Sequence, residues 1–461
     1  MTQRFGADPC VIVYEDTVYV YMTGDNFAYD KDETIKTNDY GNIQAISIIG
    51  SKDLVNWTDY GSINATEHTD AAKWASMSWA PSVTYKEIDG KIKFFLYFAN
   101  SGGGIGVLEA ETPIGPFTDP IGRALITKRT PNCSNVTWLF DPAVFIDDDG
   151  IAYLYFGGGI PEEKDETSTI RVVKLGEDMI SLDGEPIVID VPYVFEDSGM
   201  NKMEGIYYYS YCSNWNVSKE AKEELGIASA QICYMTGDNP MGPFKLQGAI
   251  FKNPGDYFQV WGNNHHCIFE FRNNWYIAYH TQLLEKMMGY EGYGYRSTHI
   301  DSIIINDNGT IGMQIGTKAG VKQAEYMDPY VITEAETMAT MAGISTILYG
   351  TESKNHGSGN MVVSDIQTGD WMALKGVDFG DIGAQGVKAN ICASKEQYGM
   401  IQIRVDGLYG DVIGYIEIKP EEHDDYYETT AQLLHKVTGI HDMFFIFYGE
   451  EYTWDTWQFV H

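Results

Sequence analysis

Three acidic residues, Asp8, Asp141 and Glu196, each stand at the start of a strand-like segment. Asp8 begins DPCVIVY, Asp141 begins DPAVFI, and Glu196 begins EDSGMNK ahead of a run of tyrosines. Carboxyl groups that meet in one pocket can divide acid–base work, since one protonates a leaving oxygen while another activates water. Hydrolysis of a stable acetal such as a glycosidic bond uses this pair, and a third carboxylate can keep the donor protonated by like-charge repulsion. The residue types therefore predict a carboxylate-based hydrolytic site, if the fold brings them together.

These acids belong to a repeat whose starts at positions 8, 80, 141, 196 and 265 lie 72, 61, 55 and 69 residues apart. Each repeat has the layout of a β-hairpin, with an apolar strand, an Asp/Asn/Gly turn and a second strand rich in aromatics. Five four-stranded units predict a five-bladed β-propeller, in which the first strand of each blade lines the axis. A pair of β-sandwiches is the alternative, but it does not explain acids at repeated strand starts. The repeat starts that would surround one pocket are Asp8, Ala80, Asp141, Glu196 and His265.

A second domain follows the repeat. The pattern stops after HIDSIIINDNGTIGMQ, and GTKAGVKQAEYMDPY has the composition of a linker. Short alternating strands then recur, among them MVVSDI, MIQIRVDG and MFFIFYG. We predict an all-β chain with a five-bladed β-propeller over residues 1–322 and a β-sandwich of the jelly-roll type over residues 323–461.

The charge balance narrows the range of partners. The chain has 31 Lys plus Arg against 65 Asp plus Glu, a formal net charge of −34, and no Lys/Arg stripe. Because such a chain repels phosphate groups, we expect neither nucleic acid nor a membrane as a partner, and no obligate protein partner is evident. The six scattered cysteines require no oxidising compartment, and MTQRFGADPC lacks the apolar stretch of a signal peptide. The expectation is a cytoplasmic protein, or a secreted one if the sequence is a mature form.

Seven motifs together resemble glycoside hydrolase family 43, and the C-terminal part resembles a family 6 carbohydrate-binding module. The motifs are RFGADPCVIVY, SKDLVNWTDYG, SWAPSVTY, FDPAVFIDDDGIAYLYFGG, VFEDSGMNKMEGIYYYSY, GNNHHCIFEF and YRSTHIDSI. The resemblance implies that Asp8 is the general base, Asp141 the acid that orients the donor and modulates its pKa, and Glu196 the general acid. The family inverts the anomeric configuration, which implies about 6.5–9.5 Å between the carboxyl groups of Asp8 and Glu196.

Further pocket residues follow from the same resemblance. Glu204 competes with Glu196 for the role of general acid, but MEGIYY indicates that Glu204 occupies a turn. Trp79 resembles the aromatic wall of the first sugar subsite, with a core tryptophan as the alternative. Arg296, in YRSTHID, resembles the active-site arginine of the family, with a salt bridge at the rim as the alternative.

Calcium is the expected cofactor. In the family, a histidine at the head of the fifth blade contributes to a hydrated calcium ion on the propeller axis; His265 is favoured over His266, which should face the opposite side of its strand. In ITEAETM, Glu334 and Glu336 are two positions apart, so on a strand both carboxylates would leave one face. Asp455 would close a structural calcium site there, as it does in family 6 modules, and solvated surface acids are the alternative.

Sugar binding by the second domain depends on two tyrosines. Family 6 modules hold sugars between two aromatic side chains on loops, and Tyr349 and Tyr426 lie near the corresponding places. Neither is the tryptophan that often supplies one wall. The alternative is a module that serves as a spacer or contributes to the catalytic pocket.

The resemblance as a whole implies an exo-acting inverting hydrolase that releases terminal α-L-arabinofuranose from arabinoxylan or arabinoxylo-oligosaccharides, with β-D-xylosidase activity as an additional property. The nearest alternative is an enzyme that acts mainly as a β-D-xylosidase on xylo-oligosaccharides, because the two pentoses present similar atoms to such a pocket. The alternative of another class is a non-catalytic carbohydrate-binding propeller, which would not need the three acids.

Overall fold

The computed structural model describes residues 4–32, 34–66, 71–160, 168–349, 359–393, 398–420 and 426–461. Within these ranges the chain consists mainly of antiparallel strands, which confirms the all-β prediction. The described residues contain no helix whose length and apolar character would let it cross a membrane.

Five antiparallel sheets form the blades of the predicted propeller. Each of the first four has four strands in chain order, and the fifth has three. The strands are β1 Ala7–Tyr14, β2 Thr17–Thr23, β3 Ala45–Ser51 and β4 Trp57–Asn64 in blade 1; β5 Trp79–Ile88, β6 Lys91–Ala99, β7 Gly104–Ala110 and β8 Ile126–Thr127 in blade 2; β9 Ala143–Ile146, β10 Ala152–Phe156, β11 Arg171–Lys174 and β12 Ile187–Val188 in blade 3; β13 Val194–Met203, β14 Ile206–Ser213, β15 Ile232–Gly237 and β16 Lys245–Phe251 in blade 4; β17 His266–Phe271, β18 Asn274–Thr281 and β19 Ser297–Ser302 in blade 5.

Alternation along the strands explains why the blades form a closed ring. In β6, Phe94 and Leu96 pack toward blade 1, whereas Phe95 and Tyr97 pack toward blade 3. Each pair of neighbouring blades encloses its own buried cluster in this way, including blades 5 and 1. Since side chains of a strand point alternately to its two faces, a strand that is apolar on both faces needs a neighbour on each side, which a ring provides. Residues of β1, β5, β9, β13 and β17 surround one central channel, so the first strand of each blade lines the axis as predicted.

Short helices lie in the connections. A 3₁₀ turn, Tyr40–Asn42, follows the Asp39 cap, whose side chain accepts a hydrogen bond from the Gly41 N–H. The α-helices are α1 Lys219–Leu225, α2 Pro254–Phe258 and α3 Leu283–Met287. Of these elements, the 3₁₀ turn contributes Tyr40 to the pocket described below.

The second domain is a sandwich of two antiparallel sheets around a single buried cluster. The strands are β20 Thr333–Glu334, β21 Thr337–Met338, β22 Thr340–Ala342, β23 Ser345–Leu348, β24 Met361–Ser364, β25 Trp371–Asp378, β26 Ala384–Ala393, β27 Gly399–Val405, β28 Val412–Ile418, β29 Tyr427–Val437, β30 Ile440–Tyr448 and β31 Tyr452–Val460. One sheet has the order β23-β24-β31-β26-β29 with β20 paired to β31, and the other has the order β22-β25-β30-β27-β28.

The two domains share a sheet. Strand β21 of the second domain pairs antiparallel with β4, so blade 1 has a fifth strand. The hydroxyls of Thr58 and Thr337 are hydrogen-bonded at 2.8 Å across this pairing. Nearby, the Asn56 amide donates to the Lys375 carbonyl at 2.8 Å. The predicted boundary at residues 322 and 323 lies in the connection between β19 and β20, although the sheets themselves cross between the domains.

Candidate active site

A cavity of about 720 Å³ adjoins the central channel and shares His265 with it. Tyr40, Trp138 and Phe140 contribute aromatic walls. All six propeller residues singled out from the sequence line this cavity: Asp8, Trp79, Asp141, Glu196, His265 and Arg296. The fold therefore brings together residues as far apart in the chain as Asp8 and Arg296.

A left-handed backbone residue marks the mouth of four blades. Its φ is 50° at Asp8, 40° at Ala80, 47° at Asp141 and 72° at Asp197. Non-glycine residues in this region cost on the order of 1–3 kcal/mol each and persist only where their surroundings hold them. One such support is the Asp8 N–H, which donates to His280 Nδ1 at 3.0 Å. Of these four residues, Asp8 and Asp141 line the shared cavity.

The repeat register predicted for blade 4 is wrong by one residue. Asn201 pairs with Tyr208 as Ile12 pairs with Tyr19, so Asp197, and not Glu196, is the backbone counterpart of Asp8. The error arises because blade 4 carries three successive tyrosines at positions 207–209, and this run has no unique marker for the register. Glu196 nevertheless reaches the cavity from the preceding position.

Asp8 is held in its ionised form. Its Oδ2 accepts a hydrogen bond from Thr23 Oγ1 at 2.6 Å, and its Oδ1 lies 3.2 Å from Arg296 Nη1. Burial is the largest single influence and raises the pKa of Asp8, but the positive charge of Arg296 and the neighbouring His280 and His265 together outweigh burial and hold the pKa well below its usual range. At neutral pH Asp8 is therefore a carboxylate, which is the form that a general base needs.

Glu196 and Asp141 have the opposite balance. Burial, followed by the negative charges of Asp141 and Asp8, raises the pKa of Glu196 well above its usual range. Burial, followed by the charges of Asp8 and Asp197, does the same for Asp141. Glu196 Oε1 is buried and has no hydrogen-bond partner among the described residues, so no hydrogen bond to this oxygen stabilises an anion. The pocket thus holds an ionised Asp8 opposite a protonated Glu196, a division of roles that matches the predicted base and acid.

Glu204 lies where the turn interpretation predicts. It is exposed, with φ of 51°, between β13 and β14 and outside the cavity. The side chain of Glu204 therefore lies apart from Glu196, with which it competed for the role of general acid.

Arg296 is a buried member of the pocket and not a rim residue, with 4% of its surface exposed. Asp25 accepts hydrogen bonds from its Nε at 2.8 Å, its Nη2 at 2.9 Å and its backbone N–H at 3.0 Å. The remaining Nη1 faces Asp8. The Tyr40 ring covers the guanidinium, with 4.6 Å between Cζ and the ring centre, and the Tyr40 carbonyl accepts from Trp79 Nε1 at 2.9 Å. Trp79 lines the cavity and also packs against the buried cluster between blades 2 and 3. It is therefore both a wall of the pocket and a partly buried core residue, the two positions predicted as alternatives.

Both histidines at the head of blade 5 contact Asp197. His265 Nε2 lies 3.1 Å from Asp197 Oδ1, and His266 Nδ1 is hydrogen-bonded to Oδ2. His265 lines the active-site cavity and His266 does not, and the regular strand begins at His266. His265 Nδ1 lies 3.7 Å from carboxylate oxygens of both Asp8 and Asp141. Since both ring nitrogens of His265 face carboxylates, the axial calcium ion stays a prediction.

The acidic residues of the second domain lie close to one another, but not on one strand face. Glu334 ends β20 and Glu336 lies in the turn before β21, which corrects the expected strand geometry. Three of their four carboxylate oxygens are buried without a hydrogen-bond partner in the described chain. Burial, together with the charges of Glu334 and its acidic neighbours, raises the pKa of Glu336 to about 9. The Asp455 carboxylate accepts hydrogen bonds from the side-chain amides of Asn360 at 3.0 Å and Asn390 at 2.8 Å.

The chemistry of this donor set fits a hard cation. Unpaired buried oxygens and amide-supported carboxylates are the ligands that calcium prefers. The geometry of the described residues contains no group of three or more His, Cys, Asp or Glu side chains already arranged around a metal position. Glu334, Glu336 and Asp455 would therefore have to approach one another on binding.

Tyr349 and Tyr426 contact each other. Their ring centres are 4.7 Å apart with 33° between the planes, and the Tyr426 hydroxyl is hydrogen-bonded to Thr453 Oγ1 at 2.7 Å. The expectation that they form two facing walls is wrong for this arrangement, because a sugar ring does not fit between touching rings. Together they present a single aromatic face, of which Tyr349 is 43% exposed.

Sequence reasoning missed several residues that complete the pocket. Asp25 and Asp197 are buried acids that hold Arg296 and the two histidines. Asp25 lies outside the repeat starts, and Asp197 was missed because the predicted register of blade 4 is one residue off. Trp138 lines the cavity and is 44% exposed. Trp138 could have been found from the sequence, because it is an aromatic residue only three positions before Asp141.

Comparison with known families decides the class of the protein. Residues 1–311 match the model described as glycosyl hydrolases family 43, and residues 334–461 match the carbohydrate binding module of family 6. The chain belongs to glycoside hydrolase family 43. This family 43 enzyme therefore has the predicted arrangement of a propeller followed by a carbohydrate-binding module, and the non-catalytic alternative is set aside.

Relatives cover the whole chain. This family 43 enzyme is 44% identical to an arabinoxylan arabinofuranohydrolase of Paenibacillus polymyxa, over 100% of this chain and 73% of the relative. It is 44% identical to one of Bacillus subtilis (strain 168), over 99% and 91%. A crystal structure of the Bacillus subtilis arabinoxylan arabinofuranohydrolase with cellotetraose has a TM-score of 0.93 at 43% identity, covering 100% of this chain and 96% of that one. An α-L-arabinofuranosidase from Clostridium thermocellum matches with a TM-score of 0.54 at 38% identity, over 69% and 96%.

Proposed function

We propose that this family 43 hydrolase releases terminal α-L-arabinofuranose from arabinoxylan or arabinoxylo-oligosaccharides. The observation that carries the proposal is the opposite ionisation of Asp8 and Glu196 within one cavity whose walls include Trp79 and Trp138. Aromatic walls suit the apolar faces of a sugar. The names of the two relatives at 44% identity support the choice of sugar and polymer.

The mechanism assigns one task to each acid. Asp8, as a carboxylate, takes a proton from water while that water attacks the anomeric carbon. Glu196, as a neutral acid, gives its proton to the leaving glycosidic oxygen. Asp141 shares the buried site with Glu196, and because two neighbouring carboxyl groups resist ionising together, its presence favours the protonated acid between turnovers. In this scheme the product has inverted configuration, and the carboxyl groups of Asp8 and Glu196 lie about 6.5–9.5 Å apart to admit the water.

A second candidate is hydrolysis of terminal β-D-xylose from xylo-oligosaccharides. A relative named xylosidase/arabinosidase from Bacteroides ovatus is 30% identical over 59% of this chain and 85% of its own length. Because that relative matches 59% of the chain, its name supports only a pocket that accepts both pentoses.

We further propose that the second domain holds a structural calcium ion. Glu334, Glu336 and Asp455 would bind it, with Asn360 and Asn390 orienting Asp455 through their amides. The ion would neutralise carboxylate oxygens that are otherwise buried without partners. Its task in this position is to stabilise the fold, not to take part in hydrolysis.

The test compares nitrophenyl α-L-arabinofuranoside with nitrophenyl β-D-xylopyranoside, and then wheat arabinoxylan, for the wild type, Asp8→Asn and Glu196→Gln. We expect arabinofuranoside hydrolysis that falls by on the order of 10³-fold or more in either variant, since each removes a group acting in the transition state. Faster release of xylose would select the second candidate. Equal release by all three proteins would exclude both. Proton NMR of the first product distinguishes inversion from retention.

A further inference from the structure

Glu285, in helix α3, is a buried carboxylate whose hydrogen bonds go to backbone N–H groups. It is 0% exposed. Its Oε1 accepts from Gly292 at 2.8 Å and Tyr293 at 2.9 Å, and its Oε2 accepts from Tyr295. A carboxylate is costly to bury unless such donors satisfy it, so the side chain and the segment of residues 288–295, here called the rim loop, fix each other.

The rim loop needs this support because its sequence offers little of its own. MGYEGYGY carries left-handed glycines at Gly289, Gly292 and Gly294, with φ of 87°, 98° and 89°. Glycine-rich backbone has many accessible conformations, and ordering it costs more entropy than ordering other residues. A single buried acceptor that gathers three N–H groups selects one of those conformations.

From the rim loop, contacts continue into the pocket wall. The Tyr293 carbonyl accepts from the Asn38 N–H at 2.7 Å, and the Gly294 carbonyl accepts from the Asn38 amide at 3.2 Å. The Tyr295 hydroxyl donates to the Lys36 carbonyl at 2.9 Å. Tyr40 follows in the same segment, and its hydroxyl lies 3.4 Å from the Gly294 carbonyl. The rim loop therefore holds the segment that carries Tyr40.

Two pocket residues depend directly on these neighbours. Arg296 follows the rim loop in the chain, and its guanidinium lies under the Tyr40 ring. Trp79 donates its indole N–H to the Tyr40 carbonyl. A shift of the rim loop would move the arginine that faces Asp8 and the aromatic wall that faces the sugar together.

We infer that Glu285 is a positioning residue for substrate binding, acting through the rim loop on Tyr40, Trp79 and Arg296. The inference rests on the proposed function for its kinetic part only. In this role Glu285 sets the geometry of the terminal-sugar subsite. Its carboxylate acts on that subsite only indirectly, through the rim loop.

The test uses Glu285→Gln, which keeps the size of the side chain but replaces one accepting oxygen with an N–H₂ group that faces backbone donors. The matched control is Glu291→Gln, the same change on the rim loop itself, where Glu291 is exposed and pairs with Lys286 at 3.2 Å. Glu285→Asp, which keeps the charge and shortens the reach, serves if the glutamine variant does not fold. Kinetics on the two nitrophenyl glycosides and hydrogen–deuterium exchange of residues 36–42 and 288–296 are measured for each protein.

We expect Glu285→Gln to exchange faster in both segments and to lose on the order of 10- to 100-fold in kcat/KM, mainly through a higher KM, because small displacements of positioning groups have effects of this size. Glu291→Gln should match the wild type in both measurements. A lower kcat per total protein at unchanged KM would show a merely structural role and overturn the inference, as would unchanged exchange in residues 36–42. If the wild type hydrolysed neither glycoside, the proposed function would fall, and the exchange result alone would decide whether Glu285 organises the wall.

Discussion

Replacing Arg296 with methionine should raise the pH at which Asp8 ionises. In the folded protein the guanidinium, together with His280 and His265, offsets the burial of Asp8 and keeps its pKa well below the usual range. Asp25 is replaced by asparagine in the same protein, because a buried carboxylate that loses its partner costs about 3–5 kcal/mol. The double variant thus removes the positive charge beside Asp8 without leaving a new buried charge.

The size of the effect follows from the distance. Arg296 Nη1 lies 3.2 Å from Asp8 Oδ1, and at an effective dielectric constant of ~20 two unit charges this close interact by about 5 kcal/mol, which corresponds to about four pH units. Loss of the Asp25 charge acts in the opposite direction, so we expect a net rise of roughly two to three pH units in the pKa of Asp8. A base works only when it is deprotonated, so activity will be lost as the pH falls through this new pKa.

The assay is kcat/KM for nitrophenyl α-L-arabinofuranoside from pH 9 down to the lowest pH at which each protein stays folded. The acid limb of the double variant should lie at higher pH than that of the wild type, by roughly two to three pH units. Arg272→Met is the matched control, since Arg272 pairs with Asp16 at 2.7 Å on the surface. An active, folded double variant whose acid limb coincides with that of the wild type would refute the assignment of Asp8 as the base held ionised by Arg296.

Three further predictions concern other parts of the molecule. Glu196→Gln should lower kcat on the arabinofuranoside by on the order of 10³-fold, whereas Glu204→Gln should retain wild-type activity; the reverse result would move the general acid to Glu204. Calcium should raise the Tm of the wild type but not of Glu336→Gln. The affinity for calcium, measured by calorimetry, should increase as the pH rises toward 9, because Glu336, with a pKa of about 9, must lose a proton to bind the ion. A wild-type Tm that does not change with calcium anywhere in this pH range would contradict the site. A chain ending at residue 322 should melt roughly 5–10 °C below the full chain, since blade 1 loses its fifth strand and each lost hydrogen bond contributes about 1 kcal/mol to stability. Equal Tm values by calorimetry would show that the shared sheet contributes nothing to the stability of the propeller.

Much of the fold was predictable because the sequence repeats it. The segments beginning at Asp8 and at Asp141 both form the predicted hairpins, with Ile12 opposite Tyr19 and Phe145 opposite Tyr153. Alternating strands in the second domain were recognisable for the same reason. These features depend on local periodicity, which a single sequence displays directly.

Features that depend on backbone irregularity were not predictable. The left-handed residue at Asp197 has no sequence marker, so the run of tyrosines in blade 4 allowed a register one residue off. The break between β20 and β21 separates Glu334 from Glu336, where periodicity suggested one strand. Long-range partners such as Asp25 for Arg296 were also beyond reach, because an isolated buried acid looks like any other loop aspartate until the fold places its partner.

The pairing of Thr337–Met338 with Trp57–Asn64 has a consequence for how the protein is made. Blade 1 begins at the N-terminus, yet its outermost strand arrives only when the ribosome has passed residue 338. Until then the outer edge of β4 presents unpaired backbone groups, the kind of edge that recruits strands from other chains. Synthesis of this enzyme therefore contains a long interval in which its first blade is open to misassembly, and the family 6 module ends that interval by capping the edge.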